Sequence, residues 1–301
     1  MCRLFGFKSN APIRAHRSLL QAENALIKQS LVHQDGWGIG WYVDDDAYVV
    51  KSATPAHSCD RFRVASERLE SDTFIVHVRR ATVGRSDHHN AHPFRYGRWI
   101  FAHNGTILGF DDLRDWMKER TTERLRELTL GDTDSEALFY YLISSLERAG
   151  FDRSGRTPCD AHDVAVTVRQ CLSELREKAE ALGHAPPILN LILTDGRIFV
   201  AHKAGMPLFL STQKTSCAQF DTCSAVKVCM EAVRPAQEPV NHMLIASEPI
   251  GDDNIWEDLQ DGSTVALAQG FDLQLLPPPV GWIAPQWPVA GYEECNPTPL
   301  A

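Results

Sequence analysis

Residues 2–8 read as a short strand and 73–79 as another, in which Val76-His-Val-Arg79 alternates apolar and polar with the period of two that marks strands. A third run, 99–102, is continuously apolar and predicts a buried strand. Two further hairpins are legible. Strands 39–43 and 47–51 flank Asp44, Asp45 and Asp46, and strands 188–193 and 198–202 flank Thr194-Asp-Gly-Arg197, whose Asp-Gly pair predicts a type I′ turn. Strands resume at 243–247 and 264–269.

Apolar residues three and four apart predict helices instead over 15–31, 111–128, 134–148 and 163–182. Leu19, Ala22 and Leu26 line the first, and Leu138, Leu142 and Leu146 the third. Asp132 or Thr133 is positioned to cap that third helix. Strands and helices come in blocks without βαβ alternation, which favours antiparallel sheets covered by helices. Residues 152–158 read as an exposed polar connection, and from Pro277 onward the chain is Pro-rich, with Trp282 and Trp287 available to pack on the body.

The chain has 301 residues, of which 44% are hydrophobic and 23% charged, enough apolar material for a core. A net charge of -9 with no compensating basic cluster argues against nucleic acid as a partner. No apolar run approaches the roughly 20 residues that span a bilayer, and no signal-like segment opens the chain, so a cytoplasmic protein without a membrane partner is expected. The eight cysteines include no C-x-x-C pair, so neither a zinc knuckle nor a thioredoxin-type motif is present. Cys217, Cys223 and Cys229, spaced by six, match no metal-ligand pattern, and no metal is expected.

Four segments could carry chemistry. Cys2 follows Met1, and removal of the methionine would leave a thiol and a free α-amine on one residue. An α-amine with a pKa near 8 can take the thiol proton and return it to a leaving amine; the alternative is a buried apolar cysteine. Arg79 and Arg80 end a strand-like run, where a guanidinium can clamp a carboxylate, or the two can simply form a basic surface pair. Asn104-Gly105 follows an apolar strand; the amide and the Gly N–H could donate to one oxyanion, yet Asn-Gly is also a strong turn signal. Asp134 adds an acid beyond what capping requires and could pair with a substrate ammonium. His88, His89 and His92 cluster with Asp87, but their spacing is not specific for a metal.

In combination these segments resemble the class II glutamine amidotransferases of the N-terminal-nucleophile hydrolase superfamily. The likeness rests on Cys2-Arg-Leu-Phe-Gly6, His33-Gln-Asp-Gly-Trp-Gly38, His77-Val-Arg-Arg-Ala-Thr-Val-Gly84, His103-Asn-Gly105 and Asp132-Thr-Asp-Ser-Glu136, in the family's order. Thr194-Asp-Gly196 and Ala246-Ser-Glu-Pro249 are similar to a stand-alone branch that includes the ergothioneine-pathway γ-glutamyl hydrolases. The resemblance implies an αββα sandwich over residues 2–275, with 276–301 as a Pro-rich tail.

It further implies Cys2 as nucleophile, Asn104 and Gly105 as oxyanion donors, and Arg79, Thr82 and Asp134 as ligands of the glutamyl end. No cofactor is implied. The substrate would be glutamine, or else a γ-glutamyl amide within a larger metabolite; a non-catalytic glutamyl-binding protein is the third reading. Arg80 stands where larger members often carry Trp, and Val83 where they often carry His. No synthase domain follows, so any ammonia-accepting partner would be a separate chain.

Overall fold

The computed structural model describes residues 2–81, 87–151, 160–214 and 242–285. In chain order it begins with β1 (Arg3–Ile13), a π turn at Arg17–Gln21, α1 (Leu26–Gln29), β2 (Trp37–Val43) and β3 (Asp46–Ser52). There follow α2 (Asp60–Arg68), β4 (Ser71–Val78), β5 (Phe94–Tyr96) and β6 (Trp99–Thr106). Four helices come next: α3 (Phe110–Arg120), α4 (Glu123–Arg126), α5 (Asp134–Arg148) and α6 (Ala161–Ala181). The chain then returns through β7 (Ile188–Thr194), β8 (Phe199–His202), β9 (Phe209–Lys214), β10 (His242–Ala246), β11 (Asn254–Asp258), β12 (Thr264–Leu267) and β13 (Leu273–Leu276).

The strands form two antiparallel sheets, ordered β11-β9-β10-β1-β4-β2-β3 and β13-β12-β8-β7-β6-β5. Side-chain parity then assigns each strand's two faces. Leu4, Ile75, Ile100, Ala102, Ile192, Phe199 and Ala201 pack together between the sheets. Phe5, Phe7, Phe74, Val76 and Val78, from alternate positions, pack outward with Leu19, Leu26 and Phe62 of the π turn, α1 and α2. Trp99, Phe101, Leu191, Leu193 and Val200 pack outward on the other side, against α3, α5 and α6. Three apolar interfaces thus separate four layers, the αββα sandwich that the family resemblance implied. The sheets approach closely at Gly6, where a Cβ would collide with Phe199 and Ile192 across the gap.

Several local expectations change. The helix expected over 15–31 is two short turns, because Ala22 and Ala25 adopt extended backbone. The break lets Asn24 donate to Glu248 Oε2 at 3.0 Å and to the Pro249 carbonyl at 3.2 Å, a tertiary dock that a continuous helix would forgo. The helix expected over 111–128 divides at Thr121, whose hydroxyl bonds back to the Met117 carbonyl, while the Thr122 amide donates to Ser144 Oγ.

The 194–197 connection is not type I′, since only Gly196 (φ +88°) has positive φ. The Asp195 carboxylate instead accepts the amides of Arg197 and Ile198, each at 2.9 Å. Two consecutive positive-φ residues do occur at Asp44 (48°) and Asp45 (72°), joining β2 to β3.

Trp282 packs against the helical side of the second sheet, with its Nε1 donating to Asp261 Oδ1 at 2.7 Å. Among the described residues no helix is long and apolar enough to cross a membrane, and no group of His, Cys, Asp or Glu is arranged to hold a metal.

Candidate active site

Strand parity brings Cys2, Arg79 and Asn104 to one end of the gap between the sheets. Cys2 shares a face with Leu4, Arg79 with Ile75, and Asn104 with Ile100 and Ala102, and all four of those apolar residues lie in the inter-sheet core. Because β1 runs antiparallel to β4 and β10, its start lies beside their ends.

Cys2 is half-buried, and its Sγ meets the backbone of Arg80: the amide donates to sulfur at 3.3 Å and the thiol to the carbonyl at 3.2 Å. Burial pushes the thiol pKa up, while the Arg80 backbone bond and the positive charges of Arg79 and Arg3 oppose that rise. A thiol so placed needs a base to ionise near neutral pH. Arg3, one residue on, donates to the Cys2 carbonyl at 3.3 Å and forms an ion pair with Glu248.

Arg79 is 3% exposed, which excludes the reading of a surface basic pair. Its amide donates to the Gly36 carbonyl at 2.8 Å and its carbonyl accepts the Asp35 amide at 3.0 Å. Asp35 Oδ2 also accepts the Ala81 amide at 2.9 Å, so one carboxylate pins the chain on the far side of Arg80. Gly36 makes this approach possible: its φ is +125°, and a Cβ there would stand 2.6 Å from the Ser52 carbonyl oxygen. Thr82 lies outside the described residues, as do Cys159, Cys217, Cys223, Cys229 and Cys295.

Asn104 and Gly105 lie inside β6, paired with Asn190 and Leu189 of β7, so the Asn-Gly pair is not a hairpin turn. Asn104 Nδ2 donates to Ser247 Oγ at 3.3 Å. The same Ser247 oxygen accepts the Leu4 amide at 3.0 Å, and the Ser247 amide donates to the Leu4 carbonyl at 3.0 Å. Ser247 therefore couples the strand that carries Cys2 to the side chain of Asn104.

Asp134 opens α5 and is 3% exposed. Its Oδ2 accepts the Ile107 amide at 2.8 Å, which ties the helix start to the end of β6. Thr133 is the cap, accepting the Glu136 amide, so Asp134 is not needed for that task. Glu136 bonds the amides of Leu130 and Gly131, at 3.2 and 2.6 Å, and Asn90 exchanges two bonds with Asp132, at 2.7 and 3.1 Å. These contacts hold the 130–134 segment in place.

Of the three clustered histidines, His92 is buried and stacks on His77 with ring centroids 4.2 Å apart, whereas His88 and His89 are exposed. Burial and the Arg79 charge hold His77 neutral, with a pKa pushed down to about 3.

Four residues of this site carried no role in the sequence reading: Asp35, His103, Ser135 and Ser247. Each lies within a noted motif, but only strand pairing reveals its partner.

Residues 1–280 match the family model of the class II glutamine amidotransferases. DUG3 of Saccharomyces cerevisiae is 27% identical over 227 residues, covering 67% of this chain and 63% of its own length. YafJ of Escherichia coli is 26% identical over 272 residues, covering 87% of this chain and 95% of its own. A γ-glutamyl-hercynylcysteine sulfoxide hydrolase of Mycobacterium tuberculosis is 35% identical over 81 residues, covering 27% of this chain and 35% of its own. The structure of a glutamine aminotransferase class-II domain protein from Silicibacter pomeroyi aligns with a TM-score of 0.60 at 19% identity, over 92% of this chain and 99% of that one. Fold, motif order and family match agree: the chain belongs to the class II glutamine amidotransferases.

Proposed function

We propose that the chain hydrolyses the side-chain amide of glutamine through a γ-glutamyl thioester on Cys2. The observation that carries this reading is the meeting of Cys2 Sγ with the Arg80 backbone, beside buried Arg79, while Ser247 ties Asn104 to the same strand.

The reading takes Cys2 as the mature N-terminal residue. Its α-amine accepts the thiol proton, and the thiolate attacks the amide carbon. Asn104 Nδ2 and the Gly105 N–H receive the charge that develops on the carbonyl oxygen, each such donor contributing about 3–4 kcal/mol in comparable hydrolases. The C–N bond breaks as the α-ammonium returns its proton, and ammonia leaves. Water, deprotonated by the same amine, then cleaves the thioester to glutamate and free thiol. Arg79 holds the α-carboxylate, with Thr82 in support, and Asp134 holds the α-ammonium. No step calls for a cofactor. Released ammonia either escapes or passes to an acceptor substrate.

A second reading, in which the leaving group is an amine of a larger γ-glutamyl metabolite, is favoured by the likeness to the mycobacterial hydrolase. Both readings use the same glutamyl contacts and differ only beyond the scissile bond.

Intact mass before and after incubation with diazo-oxo-norleucine tests the common mechanism. A mass lacking Met1 and a single adduct on Cys2 are expected; retained Met1 or an unlabelled Cys2 would overturn it. Comparing rates on glutamine and on a panel of γ-glutamyl amides separates the two substrates.

A further inference from the structure

The two oxygens of Asp134 are unequally committed. Oδ2 accepts the Ile107 amide at 2.8 Å, and Oδ1 lies 3.2 Å from Ser135 Oγ. Ser135 Oγ also lies 2.9 Å from His103 Nδ1, and His103 Nε2 lies 3.0 Å from the Ile188 carbonyl oxygen. His103, Asp134 and Ser135 are all buried, at 1%, 3% and 5% exposure.

Donor counting orders this chain. A carbonyl oxygen can only accept, so Nε2 of His103 carries a hydrogen, and in a neutral ring Nδ1 is then an acceptor. Burial of the ring disfavours its charged form, although the Asp134 carboxylate pulls the other way. The Ser135 hydroxyl has one hydrogen for two acceptors, and Nδ1 is the nearer. Given to Nδ1, that hydrogen leaves Asp134 Oδ1 open to another donor. A charged ring would reverse this, sending the hydroxyl hydrogen to Oδ1.

The geometry points to Ser135 and His103 as positioning residues for substrate recognition: His103 draws the Ser135 hydrogen away from Asp134, which leaves Oδ1 to the α-ammonium of the glutamyl substrate. The inference rests on the proposed role of Asp134 as ammonium anchor.

Gly105 supports it independently. A Cβ at Gly105 would overlap the Ile188 carbonyl oxygen and crowd His103 Nε2, so the His103–Ile188 bond needs glycine there. The residue proposed as oxyanion donor and the ring that orients Ser135 thus pack on one another, and the two ends of the substrate are recognised by one connected unit.

The test is calorimetric binding of L-glutamate and of glutarate, which lacks the ammonium, to the full chain and to His103→Phe, His103→Phe combined with Ser135→Ala, and Asp134→Asn. His103→Phe, which leaves the Ser135 hydroxyl no acceptor but Oδ1, is expected to weaken glutamate about 10-fold, the order of one charge-assisted hydrogen bond, while glutarate is unchanged. Adding Ser135→Ala, which removes the competing hydroxyl, is expected to restore glutamate binding. Unchanged glutamate affinity in His103→Phe, or equal weakening of both ligands, would overturn the inference and leave the anchor role of Asp134 standing. Asp134→Asn that binds glutamate as the wild type does would remove the anchor itself, and the inference with it.

Discussion

Asn104 Nδ2 donates to Ser247 Oγ across the gap between the two sheets, at 3.3 Å. The two residues are 143 positions apart in sequence, and their bond joins the strand that contains Asn104-Gly105 to the strand that begins after Cys2. With Cys2 as the proposed nucleophile and Asn104 as the proposed oxyanion donor on separate sheets, such a tie matters, because independent motion of the sheets by even about 1 Å would misplace the attack.

Ser247→Ala removes this tie without touching the substrate. Turnover of glutamine is expected to fall about 10-fold, matching the net worth of one buried hydrogen bond at ~1 kcal/mol with some loss of alignment, while KM stays within about twofold. Asn104→Ala is expected to lower kcat about 10²- to 10³-fold. Steady-state kinetics with ammonia detection checks both. A Ser247→Ala enzyme with wild-type kcat would show that the bond does not position Asn104.

Gly105→Ala introduces a Cβ into the space of the Ile188 carbonyl oxygen and His103 Nε2, both on packed elements. Overpacking of this kind costs about 1–3 kcal/mol, so the denaturation midpoint should drop visibly along with activity. A variant that unfolds like the wild type would show that β6 and β7 adjust at no cost.

Asp35→Ala releases the Ala81 amide. The bound conformation of the segment that carries Arg79 is then less populated, and KM for glutamine should rise about 10-fold with kcat less affected, as expected when ground-state and transition-state binding are lost together. A kcat-only effect would instead place Asp35 in the chemical step.

Three buried histidines predict the acid limit of stability. His33, His77 and His202 are held neutral chiefly by burial, with pKa values lowered to about 4, about 3 and about 3. A folded-state pKa depressed below the unfolded value near 6.5 means that the unfolded chain binds the extra proton. The contribution is therefore intact above about pH 6.5 and is lost progressively as pH falls from there to the folded values. Between pH 7.5 and 5 each such group removes up to about 2 kcal/mol by linkage. Urea unfolding at the two pH values should show the loss, and His202→Asn should diminish it. A flat profile would mean that these rings do not remain neutral in the folded protein.

Much of the architecture is readable locally. The strand-like runs place β1, β4 and β7 to within a few residues, except that β1 continues to Ile13, and the Leu138-Leu142-Leu146 stripe places α5 from Asp134 to Arg148 as expected. These strands are buried on both faces over most of their length and α5 buries its apolar stripe, so sequence and packing agree. Short edge pieces such as β5, β11 and β13 carry too few alternations to stand out, and α2 escaped for a related reason, since among its nine residues only Phe62 and Ser66 are buried.

The identities of Cys2, Arg79, Asn104, Gly105 and Asp134 as residues able to attack, clamp and donate follow from side-chain chemistry, and their order along the chain already pointed to the family. What each segment does in the fold depends on partners far away. Asn-Gly is a turn signal until β7 pairs with it, and Asp134 is a spare cap until the Ile107 amide takes one of its oxygens. Ser247 owes its relevance to a hydrogen bond between the stacked sheets, Asp35 to one just past the end of β4, and His103 and Ser135 to the packing of α5 on β6. Local periodicity is written in neighbouring residues, whereas a site at the end of an inter-sheet gap depends on strand parity and register, which exist only once distant strands have paired.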